Sequence, residues 1–238
     1  MKIRSTAFSI ATAMFLTLSA TSVSAETVNV SFTRLSGLSG VDGTAIFVAD
    51  LSALSISEIQ SITLIDSNSG VGGSPGAYSG FDLDAIKLSN TLATTAAGAS
   101  AATGLNVFNF SPSGTLFTPG TQRPTAAPKL NGTDASGLNV DASFATLSQF
   151  DAIWFGAGSV TLGDGGRISF NLTSPTSTAG LYLYVGEVSG DPGEALAGSL
   201  LVSTQPAVPE PSSLLMLLAG AGVLGGFIRK QRSVQTGA

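Results

Sequence analysis

Apolar and polar side chains alternate with period two over much of the chain, the spacing that turns one face of a strand to a core and the other to solvent. Val28-Asn29-Val30-Ser31-Phe32, Ile62-Thr63-Leu64 and Phe81-Asp82-Leu83-Asp84 read this way. So do Arg167-Ile168-Ser169-Phe170-Asn171-Leu172 and Leu181-Tyr182-Leu183-Tyr184-Val185, and Val107-Phe108-Asn109-Phe110 does so in part. Residues 44–48 and 153–155 read as short, continuously apolar strands. Gly, Ser, Asn and Asp separate these runs. Asp164-Gly165-Gly166, between Val160-Thr161-Leu162 and Ile168-Ser169-Phe170, predicts a hairpin turn. Helical stripes are weak between the chain ends: residues 51–59 are the better candidate for a short helix and 93–102 the poorer. Residues 111–136, with Pro112, Pro119, Pro124 and Pro128, and the Gly-rich stretch 70–80 predict loops. The pattern predicts a mainly β fold, an antiparallel β-sandwich of jelly-roll-like layout with about eight to ten strands.

The two ends break this pattern. Lys2 and Arg4 precede an uncharged apolar run, 7–20, and Val23-Ser24-Ala25 puts small residues where a signal peptidase requires them. Cleavage after Ala25 makes Glu26 the first residue of the mature chain. The apolar run is shorter than the roughly 20 residues of a bilayer-spanning helix. At the other end, residues 212–228 carry no charge, and Arg229, Lys230 and Arg232 follow. As a helix this segment is about 25 Å long, close to the thickness of a hydrocarbon core, with its cations on the cytoplasmic side. The predicted organisation is a signal peptide (1–25), an exported domain (26–204) and a tail (205–238) with a transmembrane helix at 212–228.

Pro209-Glu210-Pro211 stands just before the apolar segment. Prolines fix φ and disfavour helix in the residue before them, so the approach to the membrane is extended. A Pro-Glu-Pro element, one hydrophobic segment and a short basic end together resemble the PEP-CTERM sorting signal of Gram-negative exported proteins. The resemblance implies a sorting signal carried by Pro209, Glu210, Pro211, Arg229, Lys230 and Arg232. It implies passage through the Sec export machinery, a membrane-anchored intermediate and processing by an exosortase. The destination is then the cell surface or extracellular space, in association with exopolysaccharide and biofilm. Residues 79–86, 162–168 and 180–187 also resemble segments that recur in PEP-CTERM exported proteins, and no activity goes with them.

Composition narrows the chemistry. With 0 Cys and 0 His, thiol and imidazole catalysis, zinc fingers, haem ligation and disulfides are excluded. All acidic residues except Glu210 lie in the exported part, against Arg34, Lys87, Arg123, Lys129 and Arg167, for a net charge of about −9. Such a domain repels phosphate backbones, so nucleic acid is not an expected partner. Asp82 and Asp84, at i and i+2 of a strand, share a face about 7 Å apart. They are candidate Ca²⁺ ligands or a glycosidase pair, against the plainer reading of a solvated strand face near Lys87. Asp66-Ser67-Asn68-Ser69-Gly70 starts like a Ca²⁺ loop, but Ala77 stands where the closing glutamate belongs. Trp154, Tyr78, Tyr182 and Tyr184 are the aromatic candidates for sugar contact. Tyr182 and Tyr184 share one face of their strand, which is either a saccharide platform or packing. Asn29, Asn109, Asn131 and Asn171 begin Asn-x-Ser/Thr triplets. The expectation is a non-enzymatic structural or exopolysaccharide-associated module without a cofactor. The alternative is a secreted glycan-processing enzyme or Ca²⁺-dependent carbohydrate-binding protein.

Overall fold

Period-two runs need backbone partners and cover on at least one face, and here they find both in two antiparallel sheets. The computed structural model describes residues 25–40, 43–153, 157–188 and 198–209. Its strands are β1 (Thr27–Val30), β2 (Thr33–Arg34), β3 (Ala45–Asp50), β4 (Glu58–Asp66), β5 (Asp82–Ser89), β6 (Thr115–Thr118), β7 (Val160–Thr161), β8 (Arg167–Ser177), β9 (Tyr182–Glu187) and β10 (Gly198–Ser203). One sheet has the order β1-β10-β4-β8-β6 and the other β2-β3-β9-β5-β7. Apart from the β2–β3 pairing, each successive strand lies in the opposite sheet. That alternation is jelly-roll connectivity, so the predicted sandwich and its layout are both observed.

The main core lies between the sheets. Ile62, Leu64, Ile168, Phe170, Leu200 and Val202 come from the first sheet, and Leu83, Ile86, Leu88, Leu183 and Val185 from the second. A second, smaller cluster covers the outer face of the second sheet. There Ile46, Ala85 and Tyr184 pack under Ala93, Ala96, Ala99 and Phe150. Ala96 and Ala99 belong to α1 (Ala96–Ala101), whose N-cap Thr95 accepts a hydrogen bond from the Gly98 amide. Both faces of β5 and β9 are therefore buried.

Some expectations need correction. Asp164-Gly165-Gly166 is a turn but not a hairpin: β7 pairs with β5, whereas β8 pairs with β4 and β6. The turn carries the chain from one sheet to the other, as the alternating connectivity demands. Residues 107–110 form no strand. Phe108 makes one bridge to Leu172, and Phe108, Phe110 and Phe170 gather into an aromatic cluster with centroids 5.4–5.9 Å apart. Ile153 lies in irregular chain, half exposed. The helix at 51–59 is one 3-10 turn, Leu51–Ala53, before β4 begins at Glu58. Part of 111–136 is a strand, β6, pairing with β8.

Among the described residues no helix is long and apolar enough to cross a membrane. The predicted signal peptide up to residue 24 and the transmembrane helix at 212–228 lie outside the described residues, as do Trp154, Glu210, Pro211, Arg229, Lys230 and Arg232. Ala25 and Pro209 fall at the edges of the described chain, both exposed.

Candidate functional site

Asp82 and Asp84 are both on β5, and neither face is solvated: Asp82 is 8% exposed and Asp84 0%. Their setting follows from a bulge. Leu83 is opposite Glu187 and Ile86 opposite Val185, so three steps on β5 match two on β9. The extra residue keeps Leu83 and Ile86 in the inter-sheet core and leaves Asp84 and Ala85 together on the outer side. Asp84 accepts from the Thr44 hydroxyl at 2.5 Å and from the Asp151 and Ala152 amides at 3.2 and 3.0 Å. Burial outweighs these bonds and raises its pKa to about 6, with the nearby Asp151 charge adding to the rise. Asp82 accepts from the Thr161 hydroxyl across the β5–β7 pair. Lys87 is not a counter-ion in this arrangement. Its ammonium donates to the carbonyls of Ala99, Ser100 and Ala102 at 2.8–3.1 Å, closing the C-terminus of α1, and lies 5.0 Å from the Phe150 centroid. Burial lowers its pKa.

Four other acids start turns. Asp50, Asp66, Asp134 and Asp141 each accept from the amide two residues on, an Asx turn. Asp66, the head of the Ca²⁺-loop-like stretch, also accepts from Gly165 N at 2.8 Å and so ties two loops together. Hydrogen bonds from Ser136 and Asn139 hold the Asp134 carboxyl well below its ordinary range, and those from Ser143 do the same for Asp141. Among the described residues, no three Asp or Glu side chains converge on a point where a metal ion would sit.

Three loops meet at a glycine junction. A Cβ on Gly80 would stand 2.6 Å from the carbonyl carbon of Gly163, and one on Gly163 would stand 2.8 Å from that of Gly120. Arg123 ties the junction shut. Its guanidinium pairs with Asp164 at 3.4 Å and donates to the carbonyls of Gly70, Gly72 and Gly73. Two of the segments that resemble recurring PEP-CTERM segments, 79–86 and 162–168, thus touch through their glycines. The third, 180–187, supplies β9, the partner of β5.

The aromatic candidates separate. Tyr184 is 0% exposed, donating to Thr91 O at 2.6 Å and accepting from Ala93 N at 2.7 Å, so it is packing and not a platform. Tyr182 is half-buried against the same cluster. Tyr78 is half-buried near Asp82, and burial and that charge raise its pKa. Two depressions adjoin at Phe110 and Ser148. One, about 220 Å³, is lined by Thr115, Asn139 and Val140, and the other, about 320 Å³, by Lys87, Leu105, Asn106 and Phe108. Neither is lined by Asp82 or Asp84.

The chain leaves the sandwich in a defined way. In register, Ser203 of β10, Ser61 of β4 and Asn171 of β8 lie side by side. They share the outer face of the first sheet, since Val202, Ile62 and Phe170 next to them point inward. Residues 204–207 cross this row as a strap. Gln60 Nε2 donates to Thr204 O at 2.8 Å and Ser61 Oγ to Gln205 O at 2.7 Å. Asn171 takes both backbone groups of Ala207: its Nδ2 donates to Ala207 O at 3.0 Å and its Oδ1 accepts from Ala207 N at 2.6 Å. Val208 is then 73% exposed. Glu26, the first residue after the predicted cleavage, is at the same edge, with its carbonyl accepting from Thr204 N at 3.1 Å. Sequence reasoning missed the strap. Asn171 was legible only as a strand residue and an Asn-x-Thr triplet.

A β-sandwich followed in the sequence by a Pro-Glu-Pro element, an apolar run and a basic end has the layout of an exported protein with a C-terminal sorting signal. Residues 207–233 match the PEP-CTERM protein-sorting motif. The chain therefore carries a PEP-CTERM sorting signal at 207–233, which supports an exported protein sorted by an exosortase. No curated protein and no solved structure matches it.

Proposed function

We propose that the chain is a non-enzymatic jelly-roll module of the cell surface or extracellular matrix. In this reading the Sec machinery exports it behind a signal peptide cleaved after Ala25. A helix over 212–228 then holds it at the inner membrane until exosortase acts near Pro209-Glu210-Pro211, with Arg229, Lys230 and Arg232 on the cytoplasmic side. One observation carries the reading: among the described residues, the sandwich makes its last hydrogen bonds at Ala207, where the sorting motif begins. The non-enzymatic role is supported by Asp82 and Asp84, held in buried hydrogen bonds, and by Asp50, Asp66, Asp134 and Asp141, engaged in turns, all of which stand outside the two depressions. Association with exopolysaccharide or biofilm matrix fits the adjoining depressions, whose phenylalanine, asparagine and serine lining suits a neutral polyol.

Mass spectrometry of the termini after cell fractionation tests delivery. The surface species should begin at Glu26 and lack residues 212–238; one that retains them contradicts processing. No cofactor enters the reading. Asp84 is enclosed by Thr44 and two backbone amides, a poor opening for Ca²⁺ at Asp82 and Asp84. Millimolar Ca²⁺ should accordingly leave the thermal midpoint of the exported domain unchanged. A rise by ligand linkage would reinstate the cation and the Ca²⁺-dependent alternative.

A further inference from the structure

We propose that the strap over residues 204–207 is an autoinhibitory contact that limits exosortase processing, with Asn171 as the residue that closes it. The inference rests on reading the tail as an exosortase signal. An enzyme that acts on a peptide bond commonly takes its substrate as an extended strand and reads the backbone N–H and C=O groups beside the scissile bond. On the N-terminal side of Pro209 those groups are already occupied. Asn171 holds both backbone groups of Ala207, Ser61 the carbonyl of Gln205 and Gln60 the carbonyl of Thr204. Val208 alone stands out between the strap and Pro209.

The tether is also short. From Ala207 to residue 212, where the apolar segment begins, an extended chain reaches at most about 18 Å. With the strap closed, the sandwich sits against the membrane face, and the enzyme has only that gap to work in. Lifting 204–207 from the sheet frees backbone for the enzyme and lengthens the tether. The processing rate then scales with the fraction of chains whose strap is open.

The test is a pulse–chase of the full chain in a host that has an exosortase, with loss of the tail read by intact mass. Asn171→Ala removes both bonds to Ala207 and leaves the backbone pairing of β8 in place, so the tail should be lost about tenfold faster. A six-residue Gly-Ser insert between Val208 and Pro209 supplies unpinned backbone and should give the same acceleration. Asn171→Ala should add nothing in the insert background. Unchanged or slower processing of Asn171→Ala overturns the proposal. An equal acceleration by Asn171→Ala in the insert background also overturns it, because the effect then comes from a loosened sandwich. If no chain loses its tail, the sorting reading itself falls and takes the strap with it.

Discussion

Gly80→Ala should destabilise the exported domain by about 3 kcal/mol or more, a large part of the stability of an ordinary domain. Two costs combine. Gly80 has φ +81°, where an L side chain is strained. Its Cβ would also stand 2.6 Å from the carbonyl carbon of Gly163 and 2.7 Å from the oxygen, backbone atoms that no rotamer change can move aside. They are held in place: Gly163 O accepts from Gly166 N at 2.9 Å, and the preceding Leu162 N donates to Phe81 O at 2.9 Å. The melting point should fall by about 10 °C. Gly70→Ala is the control. It has φ +70° but nothing within 4 Å of the added carbon, so only the conformational cost of about 1 kcal/mol applies. Equal melting points for the two variants would remove the close approach as the reason for the glycine. The same result would leave the meeting of the 79–86 and 162–168 segments without a structural role.

The sandwich was legible because alternation records which face of a strand is buried. Leu181-Tyr182-Leu183-Tyr184-Val185 shows this: the aliphatic side chains enter the inter-sheet core, and the tyrosines take the other face. What alternation does not record is whether the second face is also covered. Ala93, Ala96, Ala99 and Phe150 cover it here, and small side chains in a Ser/Thr-rich stretch leave no periodic trace. That gap made Asp82 and Asp84 read as solvated. The bulge that encloses Asp84 depends on the β5–β9 register, a long-range property. Connectivity misled in the same way. Asp164-Gly165-Gly166 has the residues of a hairpin, but turn chemistry sets local direction and not which sheet receives the next strand. The sorting signal was the most legible feature, because its order along the chain is itself the message. The strap beside it was invisible, since Asn171, Ser61 and Ala207 come together only through the register of three strands.

Between about pH 4 and pH 6 the exported domain should become less stable as the pH rises, and Asp84→Asn should abolish that trend. Unfolded, Asp84 ionises near 3.8; folded, burial keeps its proton on to about 6. In that window the folded chain binds a proton that the unfolded chain has released, so stability falls with rising pH and levels off above about 6. The full span is worth about 3 kcal/mol. From pH 4.5 to pH 7 this is a drop of about 5 °C in melting point. Asp134 and Asp141 work in the opposite sense but lower down. Their pKa values are depressed, so the stability they add is present above the ordinary carboxylate range and is lost only as the pH falls further. An amide at position 84 carries no charge to desolvate. Its oxygen can accept from the Asp151 and Ala152 amides, and its nitrogen can donate to a rotated Thr44 hydroxyl. The Asp84→Asn melting point should therefore be flat from pH 4.5 to 7 and exceed the wild-type value at pH 7. Asp84→Ala should instead melt lower throughout, because it orphans the buried Ala152 amide and Thr44 hydroxyl at a cost of about 2 kcal/mol. A wild-type melting point that does not fall across this range would mean that the three hydrogen bonds to Asp84 offset its burial.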